Sequence, residues 1–423
     1  MKKFLGIILF VILLFLILTY ASVLSTEKEF ETCKIVNLND PGFGKVEDHD
    51  SILIQPNTLY KGNAIKRLMQ GKNYRDAWAE AVKVPVVMLD TLMGGMEIVK
   101  EGGGHQTHSL KIKNKEGVLY TLRSVTKDPQ PLIPDIARTL KLENLIVDGI
   151  SGQHPYGAIL AAELANKAHL LNTHPKMVFI PKQSTLGTYN EKYGNRLFLL
   201  EDETEGDVNW TNLENVKEIL ETKDLQELKA KLGEELRIDE DELVKARLFD
   251  LLIGDWDRHT EQWGWVLHKE GKKFNAIPLA GDRDNAFFDL DGIIPAILTN
   301  KHLNPLVRPY DKDIDYMPGL VYPFDVYFLK NTPEEVYIKE AKKLQQLLTN
   351  EAIHEAFKVW PNEIYKLDGI DIEEKLISRR NHLMEYAKEF HKIIEERDLL
   401  DKALKGSEDA DINNGMIKCF ECE

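Results

Sequence analysis

The residues best suited to chemistry fall in two acidic clusters. Leu251-Leu-Ile-Gly-Asp255-Trp-Asp257-Arg258-His259-Thr-Glu-Gln262-Trp263 is the first, and Pro278-Leu-Ala-Gly-Asp282-Arg-Asp284-Asn-Ala-Phe287-Phe288 is the second. An apolar run that ends in charged residues reads as a buried element delivering polar groups to one edge of a core. Phosphoryl transfer asks for one carboxylate to take a proton from a hydroxyl, and for an amide or carboxylate a few residues on to hold a metal. A further Asp completes the metal shell. Asp257, Gln262 and Asp282 or Asp284 supply that set.

Other chemistries use the same letters less well. A calcium loop starting at Asp282 needs Gly at its sixth position and Glu at its twelfth, and this chain has Phe287 and Ile293 there. Gly254-Asp255-Trp-Asp257-Arg258 has some likeness to the Gly-Asp-x-x-Asp-Arg of metallophosphoesterases. Its spacing is one short, and no Gly-Asn-His-Glu or upstream Asp-x-His completes two metal sites. A lone Asp-Arg pair at a helix end is more often a buried ion pair than a site, and it is the second cluster that tips the reading towards a ligand. His259 reads as structural, and Trp256, Trp263 and Trp265 as core packing.

The stretch from Gly254 to Phe288 resembles the atypical kinases of the protein-kinase-like superfamily: secretory-pathway casein kinases, type II phosphatidylinositol 4-kinases, spore-coat CotH kinases and HipA-type toxin kinases. Asp257 falls on their catalytic Asp, with Arg258 beside it. Gln262 falls on their metal-binding Asn, and Asp282 or Asp284 on their metal-binding Asp. From Tyr60-Lys-Gly-Asn to about Pro361 the chain also looks like a domain of Bacteroidetes envelope proteins, often found beside a calcineurin-like phosphoesterase. The resemblance implies an α+β, two-lobed protein-kinase-like fold with a small antiparallel sheet lobe and a larger helical lobe. It also implies ATP with Mg2+ or Mn2+, and an acceptor that is a protein, a lipid or a small molecule. Arg123 and Gln262 stand where these families have Lys and Asn, so a nucleotide-binding pseudokinase or an envelope scaffold is the alternative.

The elements that must position these residues follow from periodicity. Met96-Glu-Ile-Val-Lys, His108-Ser-Leu-Lys-Ile-Lys and Val118-Leu-Tyr-Thr-Leu-Arg-Ser-Val read as three strands. Gly102-Gly103-Gly104 separates the first two, where glycine amides can approach phosphates closely. Arg123 lies at the expected phosphate-contacting position, with Lys111, Lys113 and Lys127 as rivals and Glu163 as its candidate partner. Met177 to Ile180 and Arg196 to Leu200 read as a hairpin ending at Glu201, a candidate nucleotide hinge.

Helices are expected from Gly62 to Met69, from Tyr74 to Val82 with Pro85 closing it, from Pro155 to Ala168, over the charged stretch Leu213 to Glu235, and from Asp241 to Ile253. Further helices run from Pro333 to Leu348, from Asn350 to Val359 and from Asp371 to about Lys405. The domains divide as 1–24 (signal peptide or anchor), 25–59 (tether), 60–203 (small lobe with hinge), 204–405 (helical lobe) and 406–423 (acidic tail, read as disordered).

Composition bounds the partners. With 69 Asp and Glu against 54 Lys and Arg, the net charge is −15, which argues against a nucleic-acid partner, since that needs a basic stripe, and against electrostatic adhesion to anionic lipid. Met1-Lys2-Lys3 followed by the unbroken apolar run Phe4 to Leu18 is an export signal, either cleaved near Ala21 or retained. The protein is thus expected in the periplasm or cell envelope, touching membrane only through this segment, with an envelope protein partner left open. Cys33, Cys419 and Cys422 are too few for a disulfide framework.

Overall fold

The computed structural model describes residues 2–24, 33–102, 107–128, 130 and 133–422. Among these residues three sheets form. The alternation expected between Met96 and Val125 is realised as β4 (Glu97–Gly102), β5 (Ser109–Lys113) and β6 (Leu119–Ser124). The expected hairpin is β7 (Lys176–Ile180) and β8 (Arg196–Asp202), and all five strands join one antiparallel sheet in the order β4-β5-β6-β8-β7. One face of it closes on Leu110, Ile112, Leu122, Val178, Ile180 and Phe198. The other face turns Met177, Phe179, Leu197 and Leu199 into the main core, which also takes Leu160, Ala161, Leu164 and Ala165 of the helix Gly157–Lys167.

The segment read as a tether is built in from Lys34 onward: β1 (Lys34–Ile35), β2 (Ser51–Gln55) and β3 (Val82–Pro85) pair antiparallel, and Ile52 and Ile54 are core residues. Accordingly the helix expected from Tyr74 to Val82 covers only Arg75–Ala79, because Val82 is needed in β3. Residues 25–32 lie outside the described set.

The larger lobe departs from the purely helical expectation. It carries a four-stranded sheet ordered β10-β12-β11-β9, made of β9 (Val216–Glu221), β10 (Leu236–Ile238), β11 (Trp263–Glu270) and β12 (Lys273–Ala280). The helix expected over Leu213 to Glu235 is therefore β9 followed by a helix over Thr222–Leu232. Behind the sheet, Trp263 and Trp265 pack on Phe324 and Phe328. The helices Glu334–Leu347, Ile370–Asn381 and Leu383–Glu396 complete the lobe, so the chain is α+β and two-lobed, with the smaller lobe formed by antiparallel sheet.

The acidic tail is also ordered. Asn414–Lys418 is helical, Phe420 is buried on Phe328 and Tyr327, Lys229 pairs with Glu421, and Cys419 bonds to Cys422. One well-filled aromatic site outweighs the tail's charge. At the other end, Lys2–Val23 is a 22-residue apolar helix long enough to cross a membrane, exposed from Phe4 to Leu16 except at Phe15, and anchored at its C-terminal turn by buried Thr19, Ser22 and Val23. Phe420→Ala should lower the free energy of unfolding by about 3 kcal/mol, the scale of a buried aromatic lost without repacking. Chemical denaturation in detergent checks it, and an unchanged midpoint would show the tail undocked.

Candidate functional site

The two acidic clusters meet because of one helix and one hairpin. Asp239 caps the helix Glu240–Ile253 by accepting from Glu242 N at 3.1 Å, and nearly every side chain of the helix is buried. It ends at Gly254, which is left-handed with φ 68°, and a Cβ there would run into the Tyr310 ring. The loop 255–262 then feeds β11, which returns as β12 in a register that pairs Trp263 with Ala280. Gly281 N donates to Gln262 O at 3.0 Å, so the second cluster begins beside the end of the first.

Asp257, Gln262, Asp282 and Asp284 line one cleft of about 970 Å³ with Arg123 and Lys127, which reach in from the small lobe. Arg123 Nη1 lies 2.9 Å from Asp282 Oδ2, and Lys127 Nζ lies 2.6 Å from Asp284 Oδ2. Lys127, weighed as a rival to Arg123, is thus a second cation of the same site. Gln262 Oε1 and Asp282 Oδ1 are buried with no hydrogen-bond partner. Two orphaned acceptor oxygens of this kind fit a divalent cation, whose attraction would offset their desolvation. No group of three or more His, Cys, Asp or Glu residues able to hold a metal occurs among the described residues. A cation here would draw the rest of its shell from phosphate and water, as Mg2+ commonly does. Asp282 is held at φ 50°, an uncommon conformation for a non-glycine residue.

Three expectations are corrected. Arg258 does not line the cleft. It is fully buried, donates to Gly281 O at 2.7 Å and to Gln262 O at 3.3 Å, and lies over the Trp263 ring, so it ties one loop to the other. Glu201 is no hinge acceptor either: β8 is interior to its sheet, Glu201 pairs with Thr121 of β6, and its side chain sits 3.6 Å from Arg123 Nε and accepts from Thr173 Oγ1 at 3.0 Å. It takes the place expected for Glu163, which pairs with Lys167 instead. Gly102 ends β4, whereas Gly103 and Gly104 lie outside the described residues. Thr107, just beyond them, lines the cleft, as do His259 and Trp256, both read as structural from the sequence.

What the sequence did not single out is the charged platform underneath. Asp250 receives Arg247 at 3.0 Å, Arg283 at 3.0 Å and Arg258 at 3.4 Å, all buried. Burial opposes its charge, but Arg258, Arg283 and Arg247 together hold its carboxyl below the usual range. Asp255 has Arg258 at 3.4 Å, and burial holds its carboxyl well above that range. The opposite directions follow from the number of guanidinium groups each carboxylate meets. Burial and the neighbouring Asp282 raise Asp284 against the pull of Lys127, and burial lowers His259, which favours its neutral ring.

No protein-family model matches the chain, and no curated protein was found to match it. Among solved structures it is similar to the crystal structure of a Helicobacter pylori proinflammatory kinase, CtkA, at 12% identity over 68% of this chain and 94% of that one. The TM-score is 0.36, too low a superposition to add weight to the geometry above.

Glu201 generates a pH dependence. Burial pushes its carboxyl from 4.5 up to about 7 despite Arg123, whose guanidinium is directed mainly at Asp282. A folded-state value above the unfolded one contributes stability that is complete below pH 4.5 and lost as pH rises through 7. This group alone should remove on the order of 3 kcal/mol across that window. Urea unfolding in detergent at several pH values checks it: Glu201→Gln should flatten the slope, and identical slopes would refute the assignment.

Proposed function

We propose that this chain is an exported, kinase-like phosphotransferase that moves the γ-phosphate of ATP to an acceptor hydroxyl. The observation that carries the reading is the convergence of Asp257, Gln262 and Asp282 with Arg123 and Lys127 on one cleft. Asp257, part-exposed at the cleft, is the residue to orient the acceptor hydroxyl and take its proton. Arg123 and Lys127 are the residues to hold phosphate oxygens, Arg123 with a two-point grip that a Lys lacks. Gln262 and Asp282 would hold Mg2+ or Mn2+, whose chemistry when bound is to neutralise phosphate charge. Arg258 keeps both loops in place and touches no substrate.

The export half rests on Lys2 and Lys3 ahead of a helix of spanning length, which favours insertion with the amino terminus inside and the body outside the cytoplasmic membrane. A nucleotide-binding protein without transfer is the second reading. It is favoured by the Arg123 ion pair, which occupies one oxygen of Asp282.

Separating the roles tests both readings. Asp257→Asn should cut label transfer from γ-phosphate by about 100-fold or more and leave the thermal shift on adding Mg2+ and ATP unchanged, whereas Asp282→Asn should abolish the shift itself. Equal loss of binding in both variants would overturn the division of labour. A shift without any transfer by the unaltered protein would establish the second reading.

A further inference from the structure

The apolar helix Lys2–Val23 leaves the body from the middle of an unusual surface. It packs on the helix Ala64–Gln70, and Gln70 Nε2 donates to Ser22 Oγ at 2.8 Å. Tyr20 Oη donates to Leu140 O at 3.1 Å, which brings in the helix Asp135–Thr139 and its cap. On its other flank Ala64–Gln70 packs on the helix Ile293–Leu298, and Gly71 and Gly292 touch so closely that a Cβ on either would strike the other strand of chain.

These three elements display large apolar side chains to solvent, Leu68 at 55%, Ile136 at 65%, Ile297 at 51% and Leu298 at 59%, and Leu303 at 72% lies in the turn after the last of them. Burying such groups is favourable, so this much apolar surface exposed on packed neighbours calls for an occupant. Charge supplies a second, independent observation. Among the exposed charges of residues 61–75, 135–142 and 291–310 the basic ones prevail in a chain of net charge −15: Lys61, Lys72, Arg138, Lys141 and Lys301 against Asp135 and Asp291.

We infer that this face is a bilayer-docking surface that seats the body on the membrane crossed by its own apolar helix. Continuity decides the occupant: the spanning helix emerges within the patch, so the nearest apolar phase is the bilayer itself. Leucines and isoleucines enter the headgroup boundary while Lys and Arg meet anionic headgroups. The overall acidity of the chain does not oppose this, because screening confines its field to about 10 Å. Leu298 and Thr299 also line the cleft that holds Asp257 and Asp282, so docking sets that cleft's mouth at headgroup level. The inference stands on the exit of the helix and the apolar, mainly basic surface around it, independently of the proposed transferase activity.

The unaltered full-length chain, reconstituted in vesicles of phosphatidylcholine and phosphatidylglycerol containing a photoactivatable lipid, tests it by mapping label with mass spectrometry. Beyond the apolar helix, label should appear on residues 64–70, 136–140 and 293–303 at several-fold the level on the exposed apolar pair Leu367 and Ile370. Label confined to residues 2–23 would overturn the proposal. So would chain-to-chain crosslinks that cover these segments in place of lipid, since they would assign the face to a second copy.

Discussion

Asp250 is fully buried, and three arginines from three different segments converge on it: Arg247 from its own helix, Arg258 from the loop after that helix, and Arg283 from the loop after β12. Its one negative charge cannot balance three guanidinium groups. Asp325 shares Arg247 at 2.6 Å, and backbone carbonyls of Gly281 and Gln262 share Arg258. Removing any one member leaves charge stranded in a low-dielectric interior, a loss of several kcal/mol that other conformations of the two loops would also incur. The positions of Asp257 and Asp282 are therefore inherited from a buried charge balance rather than from contacts between the acids themselves.

The second constraint crosses between the lobes. Arg123 belongs to an interior strand of the small sheet, and Lys127 follows just after it, yet both terminate on aspartates of the other lobe. Without a ligand these pairs neutralise an acidic pocket. On the proposed reading, a phosphate group entering the cleft would compete for the same cations, and a divalent cation for the same carboxylates. Binding of the two together would then exchange one set of ion pairs for another at little net change in buried charge.

Legibility in the sequence followed burial. β5 was readable because its apolar residues alternate, β7 and β8 because each is a buried apolar run, and the helix Glu240–Ile253 because an apolar run follows its Asp239 cap. β9 was not, because it is an edge strand whose Lys217 and Glu218 face water, leaving Lys and Glu intermixed as on a solvated helix. The tail read as disordered because only Ser407, Met416, Cys419 and Phe420 among its described residues are buried, and what holds Phe420 is an aromatic cluster far away in sequence. At the site, Asp257, Gln262 and Asp282 could be picked out by order and spacing. Arg258 could not be told from a catalytic group, since a motif does not say which of its side chains point inward. Glu201 and Glu163 were exchanged for a similar reason: only pairing between strands separated by many residues decides which carboxylate faces Arg123.

The hairpin of β11 and β12 has another side to it. Its ladder is continuous from Trp263 and Ala280 at the cleft to Glu270 and Lys273 at the far end, where exposed Gly271 and Lys272 close the turn. Eight paired residues at about 3.4 Å each put that turn about 27 Å from the aspartates. Chain inserted there lengthens only the turn and leaves every pair of the ladder, and hence the spacing of the two loops, as it was. Gly271 and Lys272 thus mark the place where a fluorophore, an epitope or an entire foreign domain can be carried without the cleft sensing its load.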